Sequence, residues 1–411
     1  MERIISENNM KAVFEPSVLK GTIKAPPSKS DGHRAIICAC LSEGKSVISN
    51  LDFSDDICAT VDCMRALGAE AEISGNRLTV NMGIKECDYA ELDCRESGST
   101  LRFLIPLASV FCKRCRFTGS SRLFERPLSV YESIFEKSGA DWSSDNNSLN
   151  LSGALRPGCF EIPGNISSQF ITGLLFALPL LDNDSRIVIT PPFESRPYID
   201  LTLRRLSDYG ISAVFPKPDT IDIYGNQRYT AADTSIEGDW SNSAFFEAFN
   251  LTGGNVTVTG LNELSLQGDK VYREFFKQLS GTGSVIDLSD CPDLGPVCFA
   301  LAHINGAVFT GTKRLKYKES DRCAAMAQEL KKFGIRCENR DESFTVYPSV
   351  LRRPAEPLNS HNDHRIVMAL SVLCSSVGGE IQGAEAVRKS LPGYFEMIES
   401  LGAEVKLYET D

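Results

Sequence analysis

Two kinds of helix-compatible segment alternate along the chain. Six are apolar on nearly every face: Ala35 to Leu41, Leu101 to Phe111, Ile171 to Leu181, Ala244 to Leu251, Val297 to Ile304 and Ile366 to Val377. A helix that is hydrophobic all round has no face to offer water, so these six are expected to be buried. Six other segments run into a glycine, at Gly68, Gly139, Gly210, Gly281, Gly334 and Gly402, as in Met64-Arg-Ala-Leu-Gly-Ala and Leu330-Lys-Lys-Phe-Gly-Ile. Glycine just past a helix takes the left-handed conformation that a Cβ disfavours. The first four glycines recur every 71 residues and the last two intervals are 53 and 68, so the chain carries an internal repeat. With strand-like runs after each glycine, the repeat predicts a βαβαββ unit whose inner helix is wrapped by the rest.

A chain of 411 residues exceeds what one core supports, which predicts two or three domains. Hydrophobic and charged fractions of 42% and 24% fit a soluble globular protein. Met1-Glu-Arg-Ile-Ile-Ser-Glu-Asn-Asn lacks the regions of a signal peptide, and the longest apolar stretch, Phe170 to Leu181, is too short to span a bilayer. A cytoplasmic location is expected, and the fourteen cysteines are then read as reduced thiols. Cys112-Lys-Arg-Cys115 has no second pair or nearby histidine to complete a zinc site, and His361 with His364 lacks a third ligand. A net charge of −11 argues against a nucleic-acid partner.

A polar cluster stands at the front of each inner helix: Ser28-Lys-Ser-Asp-Gly-His-Arg34, Glu96-Ser-Gly-Ser-Thr-Leu-Arg102, Ser167-Ser-Gln169, Asp239-Trp-Ser-Asn-Ser243, Asp293 and Asn362-Asp-His-Arg365. Ser, Asp and Asn are ordinary helix caps there whatever the function. Caps do not call for Lys29, Arg34, Arg102 or Arg365, because the positive end of a helix disfavours a cation. An anion lying between cation and helix end removes the conflict, and free N–H groups with hydroxyls and cations are what phosphate and carboxylate binding requires. Glu125-Arg-Pro127, Lys318-Glu-Ser-Asp-Arg322 and Arg388-Lys389 add further cations. An acidic protein with its cations gathered at helix starts is expected to bind a small, highly anionic substrate. Ser30, Ser99 and Ser168, each 69 residues from the next, mark equivalent helix starts in one half of the chain, and Asp239, Asp293 and Asp363 mark those in the other.

From about Gly21 to Phe395 these segments resemble the enolpyruvyl transferases, in the branch acting on shikimate 3-phosphate. Pro27-Ser-Lys-Ser30 with Arg34, Gly98-Ser-Thr-Leu-Arg102, Glu125-Arg-Pro, Ser167-Ser-Gln, Ser195-Arg-Pro-Tyr198, Lys318-Glu-Ser-Asp-Arg322, Asn362-Asp-His-Arg365 and Lys389-Ser-Leu-Pro follow the family's order. The resemblance implies an inside-out α/β fold of two similar domains, each of three βαβαββ repeats. It places residues 27–236 in a shikimate 3-phosphate-binding domain and 1–26 plus 237–411 in a second, with substrates in the cleft between. The implied reaction moves the enolpyruvyl group of phosphoenolpyruvate to the 5-hydroxyl of shikimate 3-phosphate and releases phosphate. No metal or organic cofactor, no nucleic acid and no membrane are expected, and the protein is expected to be a monomer.

By the same resemblance, Ser30, Arg34, Ser167, Ser168, Gln169, Ser195, Tyr198, Asp293 and Lys318 hold shikimate 3-phosphate. Gly98, Ser99, Arg126, Gln169, Arg322, Arg365 and Lys389 hold phosphoenolpyruvate, and Lys29 touches both. The chemistry needs a proton taken from the attacking hydroxyl and one delivered to the methylene carbon. Asp293 is assigned to the hydroxyl, and Glu319 and Lys29 are rival donors to carbon. Glu96, Arg314, Pro27 and Gly393 depart from frequent family residues. Two alternatives stand beside this reading. The sister enzyme acting on UDP-N-acetylglucosamine carries a loop cysteine before an Arg-Pro pair, where Ser121 stands here, and the other alternative is a non-catalytic anion-binding repeat scaffold.

Overall fold

In a computed structural model the described residues are 9–410, so all but Asn9 of the segment Met1 to Asn9, read for a leader, lies outside them. The chain divides into two compact units: Pro27–Gly238 with Asn262–Gly268 forms one, and the remaining described residues form the other. Each has its own hydrophobic core. The sequence groups 262–268 with the second half; in the structure Ser265 and Gln267 donate to the Glu237 carboxylate at 2.6 and 2.7 Å, which ties the loop to the first unit. No helix among the described residues is long and apolar enough to cross a membrane.

The buried helices form where the apolar segments predict them. In the first unit they are Lys29–Leu41, Gly98–Phe111 and Ser168–Ala177; in the second, Trp240–Glu247, Gly295–Leu301 and His364–Val377. Leu104, Leu174, Phe299 and Leu370 are wholly shut from water, each worth about 2 kcal/mol in apolar burial. The outer helices are Asp55–Ala66, Ser129–Lys137, Arg196–Asp208, Tyr272–Leu279, Arg322–Lys332 and Tyr394–Ser400. Five of the six capping glycines are left-handed; Gly281 is not, and Gly283 takes the positive φ there instead.

In each complete repeat the strand before the inner helix runs parallel to the strand after it, and the latter pairs antiparallel with a hairpin. Cys87–Asp93, Cys112–Thr118, Ser148–Ser152 and Asp141–Ser144 form such a sheet in that spatial order. The short 53-residue interval between Gly281 and Gly334 now has a cause. After Tyr272–Leu279 no hairpin follows, and Ser284–Asp287 already pairs parallel with Ala307–Thr310 as the opening strand of the next repeat. The fourth repeat keeps a two-stranded sheet, Asn255–Thr259 beside Lys20–Lys24. The first and last repeats are completed from afar. Thr234–Ser235 supplies the opening strand beside Ser46–Ser49, and Asn9–Glu15 lies between Gly379–Gln382 and Glu404–Thr410.

Candidate functional site

In the first unit the three inner helices start at serine caps. Ser28, Ser97 and Ser167 accept from the backbone N–H of Asp31, Thr100 and Gln169. Ser168 is therefore the first residue of its helix, whereas Ser30 and Ser99 are the second of theirs, a one-residue shift that the regular spacing of these serines does not show. The cations nearby are held by specific partners. Lys29 Nζ lies 2.7 Å from Asp56 Oδ2. Arg34, buried against the face of Phe103, donates from Nε to Thr202 Oγ at 2.8 Å and from its terminal nitrogens to the carbonyls of Ser30 and Tyr198. Burial pushes its guanidinium down to about 10, and Asp31 opposes that shift. It stays charged at neutral pH.

Gln169 is fixed at both ends of its amide, accepting from Arg102 at 3.0 Å and donating to Ser99 Oγ at 3.0 Å. Arg126 lies over the start of the Gly98–Phe111 helix, so close that a Cβ on Gly98 would stand 2.7 Å from its guanidinium carbon. A side chain there would push that cation away from the helix start. Ser195 precedes the Arg196–Asp208 helix in a left-handed conformation, and both it and Ser168 are buried. The sequence assigns no role to Tyr131, whose hydroxyl lies 2.8 Å from the Arg102 carbonyl. Pro106 explains that contact: it has no N–H, so the carbonyl four residues back lacks a helical partner and the tyrosine supplies one.

In the second unit Arg322 is the hub. Its side chain is 1% exposed, and it donates to Asp363 at 2.8 Å, Asp293 at 2.8 Å and Glu319 at 2.7 Å. Asp293 also meets Lys318 at 3.1 Å and Arg365 at 3.2 Å. Burial raises the Asp293 carboxyl, but Arg365, Lys318 and Arg322 together outweigh it and hold the group well below the usual carboxylate range. Lys318 is lowered by burial in spite of Asp293. Arg365 also reaches Ser241 Oγ at 2.8 Å, and Lys389 donates to the Asn362 carbonyl at 2.5 Å.

Asp239 and Asp363 cap their helices, accepting from Asn242 N and Arg365 N. Asp293 does not, contrary to the expected equivalence of the three. It sits in the Pro292–Leu294 turn, the Gly295–Leu301 helix has no side-chain cap, and the carboxylate faces the cations. Asp363 is the partner that sequence reasoning missed, since a cap explains it fully. Asp56, the partner of Lys29, lies in the first turn of the Asp55–Ala66 helix, where an acid is ordinary. Arg314, one of the departures, is buried and donates to the Ser289 carbonyl. His361 meets Glu329 at 3.0 Å, and Cys112 and Cys115 are buried on one strand; among the described residues no group of three or more His, Cys, Asp or Glu side chains could hold a metal.

Each unit thus presents helix starts with clustered cations and hydroxyls, an arrangement that recognises phosphate and carboxylate. Among solved structures the fold is that of the enolpyruvyl transferases. EPSP synthase from Acinetobacter baumannii matches with a TM-score of 0.77 at 20% identity, over 98% of this chain and 100% of that one. The enolpyruvyl transferase NikO from Streptomyces tendae matches with a TM-score of 0.77 at 15% identity, again over 98% and 100%. Sequence narrows the class. The 3-phosphoshikimate 1-carboxyvinyltransferase of Clostridium perfringens (strain ATCC 13124) is 39% identical over 96% of this chain and 99% of its own, and that of Clostridium kluyveri is 40% identical over 95% and 97%. The family model for EPSP synthase (3-phosphoshikimate 1-carboxyvinyltransferase) matches residues 13–398, and the chain belongs to that family.

Proposed function

We propose that the chain transfers the enolpyruvyl group of phosphoenolpyruvate to the 5-hydroxyl of shikimate 3-phosphate, the reaction that the shikimate pathway requires on the way to chorismate and the aromatic amino acids. The observation that carries this reading, in a member of this family, is Asp293 clasped by Lys318, Arg322 and Arg365. Each substrate bears a phosphate and a carboxylate. Two unit anions 4 Å apart repel by about 4 kcal/mol at an effective dielectric of about 20, so intervening cations are needed to seat them together.

Each unit supplies part of that charge. Ser30, Arg34, Ser167, Ser168, Gln169, Ser195 and Tyr198, with Lys318 and Asp293, serve shikimate 3-phosphate. Gly98, Ser99, Arg126, Gln169, Arg322, Arg365 and Lys389 serve phosphoenolpyruvate, and Lys29 serves both. The Asp293 carboxylate, held at low proton affinity by its cations, is a weak base in that state. An arriving anion draws on the same cations, loosens their hold and restores base strength as the 5-hydroxyl comes into reach. The hydroxyl oxygen attacks the enolpyruvyl carbon, its proton passes to Asp293, and Glu319 or Lys29 delivers a proton to the methylene carbon. In the collapse the same group takes a proton back from the methyl carbon as the carbon–oxygen bond to phosphate breaks, which re-forms the double bond and releases phosphate, whose charge the arginines stabilise.

Phosphate release measured with phosphoenolpyruvate and shikimate 3-phosphate tests this. Folded protein that releases none overturns the reading, and release supported by UDP-N-acetylglucosamine instead moves it to the sister reaction.

A further inference from the structure

Three residues of the first unit sit at 71-residue intervals on its three outer helices: Thr60, Tyr131 and Thr202. All three are wholly buried, and each bridges two neighbouring inner helices. Thr60 Oγ lies 2.7 Å from His33 Nδ1 and 2.7 Å from Thr100 Oγ. The Tyr131 hydroxyl meets the carbonyls of Arg102 and Phe170 at 2.8 and 2.9 Å. Thr202 Oγ lies 3.1 Å from Thr172 Oγ and accepts from Arg34 Nε at 2.8 Å. The three contacts close a ring around the inner helices.

Thr202 differs from the other two in what it holds. Its own proton goes to the Tyr198 carbonyl at 2.8 Å, one turn back on the helix. The oxygen is thereby oriented to receive the Arg34 Nε–H. The same Tyr198 carbonyl accepts from the far side of the guanidinium at 3.1 Å, and the Ser30 carbonyl accepts from its other terminal nitrogen at 2.6 Å. A guanidinium is a rigid fork, so fixing Nε and both ends fixes the plane in which its remaining N–H groups point. Thr60 meets a neutral imidazole and another hydroxyl, with no cation among these partners.

We propose that Thr202 is a positioning residue for anion recognition, setting the plane of Arg34 through the Nε–H···Oγ hydrogen bond; this rests on Arg34 contacting shikimate 3-phosphate. A methyl in place of the hydroxyl leaves volume and burial nearly unchanged, removes the acceptor and frees the fork to rotate. Losing a hydrogen bond to a charged group at this position raises the KM for shikimate 3-phosphate about tenfold.

The test compares Thr202→Val, Thr202→Ser and, as a matched buried control, Thr60→Val. Support requires that T202V raise the KM for shikimate 3-phosphate about tenfold with kcat and the KM for phosphoenolpyruvate little changed. It also requires that T202S restore wild-type values and that T60V leave that KM unmoved. In an Arg34→Lys background, which has no Nε–H to orient, T202V should add nothing further. Equal losses in T202V and T60V, or a T202V effect that persists in the Arg34→Lys background, would make Thr202 a mere packing residue and overturn the proposal. Should T202V fail to fold, Thr202→Ala removes the same acceptor. A second readout needs no turnover: the Arg34 Nε–H resonance in ¹⁵N spectra is protected from exchange in wild type and T202S and loses protection in T202V. An unchanged resonance overturns the proposal. Absence of turnover in wild type strikes the proposed reaction and leaves the resonance to judge Thr202.

Discussion

The guanidinium of Arg322 and the carboxylate of Asp363 meet at 2.8 Å with 1% and 0% of their side chains exposed. Nothing in the neighbouring sequence signals the pairing, yet it joins the start of the Arg322–Lys332 helix to the start of the His364–Val377 helix, where Asp363 is also the cap. A buried pair of this kind says little about net stability while it is whole. Removing one partner is another matter, because the other charge is left out of water with less to meet it.

Asp363→Asn keeps the capping oxygen and removes the charge. It is expected to destabilise the second unit by about 3–5 kcal/mol. Urea unfolding followed by a probe confined to that unit measures this, and a loss below about 1 kcal/mol would mean that Asp293 and Glu319 suffice to hold Arg322.

Gly98→Ala places a Cβ 2.7 Å from the Arg126 guanidinium carbon, so the cation must withdraw. Alanine suits a helix start better than glycine does, so stability should hold or rise slightly. The expected cost falls on ligand binding, with the KM for phosphoenolpyruvate up about tenfold. Steady-state kinetics together with a melting curve separate the two effects, and an unchanged KM would show that Arg126 need not sit over the helix.

His33 is the sole histidine of Pro27–Gly238, and burial, aided by Lys29 and Arg34, holds its proton affinity well below the ordinary value. The unfolded chain binds a proton below about pH 6.5 and the folded chain does not, so this group's contribution weakens as pH falls below that point. Denaturant titrations of the first unit between about pH 7 and 5 should slope downward toward acid, and His33→Gln should flatten that limb. A variant with the same slope as wild type would place the linkage elsewhere.

Asp293 acts in a lower window. Its folded carboxyl is depressed by Arg365, Lys318 and Arg322 against the upward pull of burial. Stability from this group is present above the unfolded carboxylate value near 4 and is lost as pH falls through the depressed folded value. Asp293→Asn should lower turnover by about three orders of magnitude, the scale of lost acid–base catalysis, and shorten the acid limb of the second unit's stability. Near-wild-type turnover would remove Asp293 from the chemistry.

Glu319→Gln, assayed for solvent deuterium entering the methylene carbon, divides the proton-delivery role. Incorporation that survives assigns the proton to Lys29, and incorporation that disappears assigns it to Glu319.

Much of the scaffold was legible because its causes are local. Six all-apolar segments must be buried, and glycine after a helix has one common use. The site was legible as chemistry, through cations placed where a helix end repels them, but its pairings were not. Lys29 with Asp56, Arg34 with Thr202 and Arg365 with Ser241 join residues far apart in sequence, and each partner also serves as a plausible helix-start acid or core hydroxyl. Thr202 could have been found, since Thr60, Tyr131 and Thr202 keep the interval of the glycines. Asp293 departs from the expected equivalence with Asp239 and Asp363: it caps no helix, and three cations hold its carboxylate. The missing hairpin after Tyr272–Leu279 explains an irregular interval that periodicity alone leaves unaccounted for.

The strand Asn9–Glu15 is held on one side by Glu404–Thr410, with Asn9 opposite Thr410. During synthesis it emerges well before that partner, with all of Pro27–Gly238 made in between. Pro27–Gly238 can close its core in the meantime, since all its inner helices have emerged by then. Until Glu404–Thr410 arrives, the backbone N–H and C=O groups along that edge of Asn9–Glu15 stay unpaired. The second unit is thus the later one to mature, and a nascent chain halted before Glu404 has one finished half and an open sheet edge, the kind of surface that chaperones and proteases attend to.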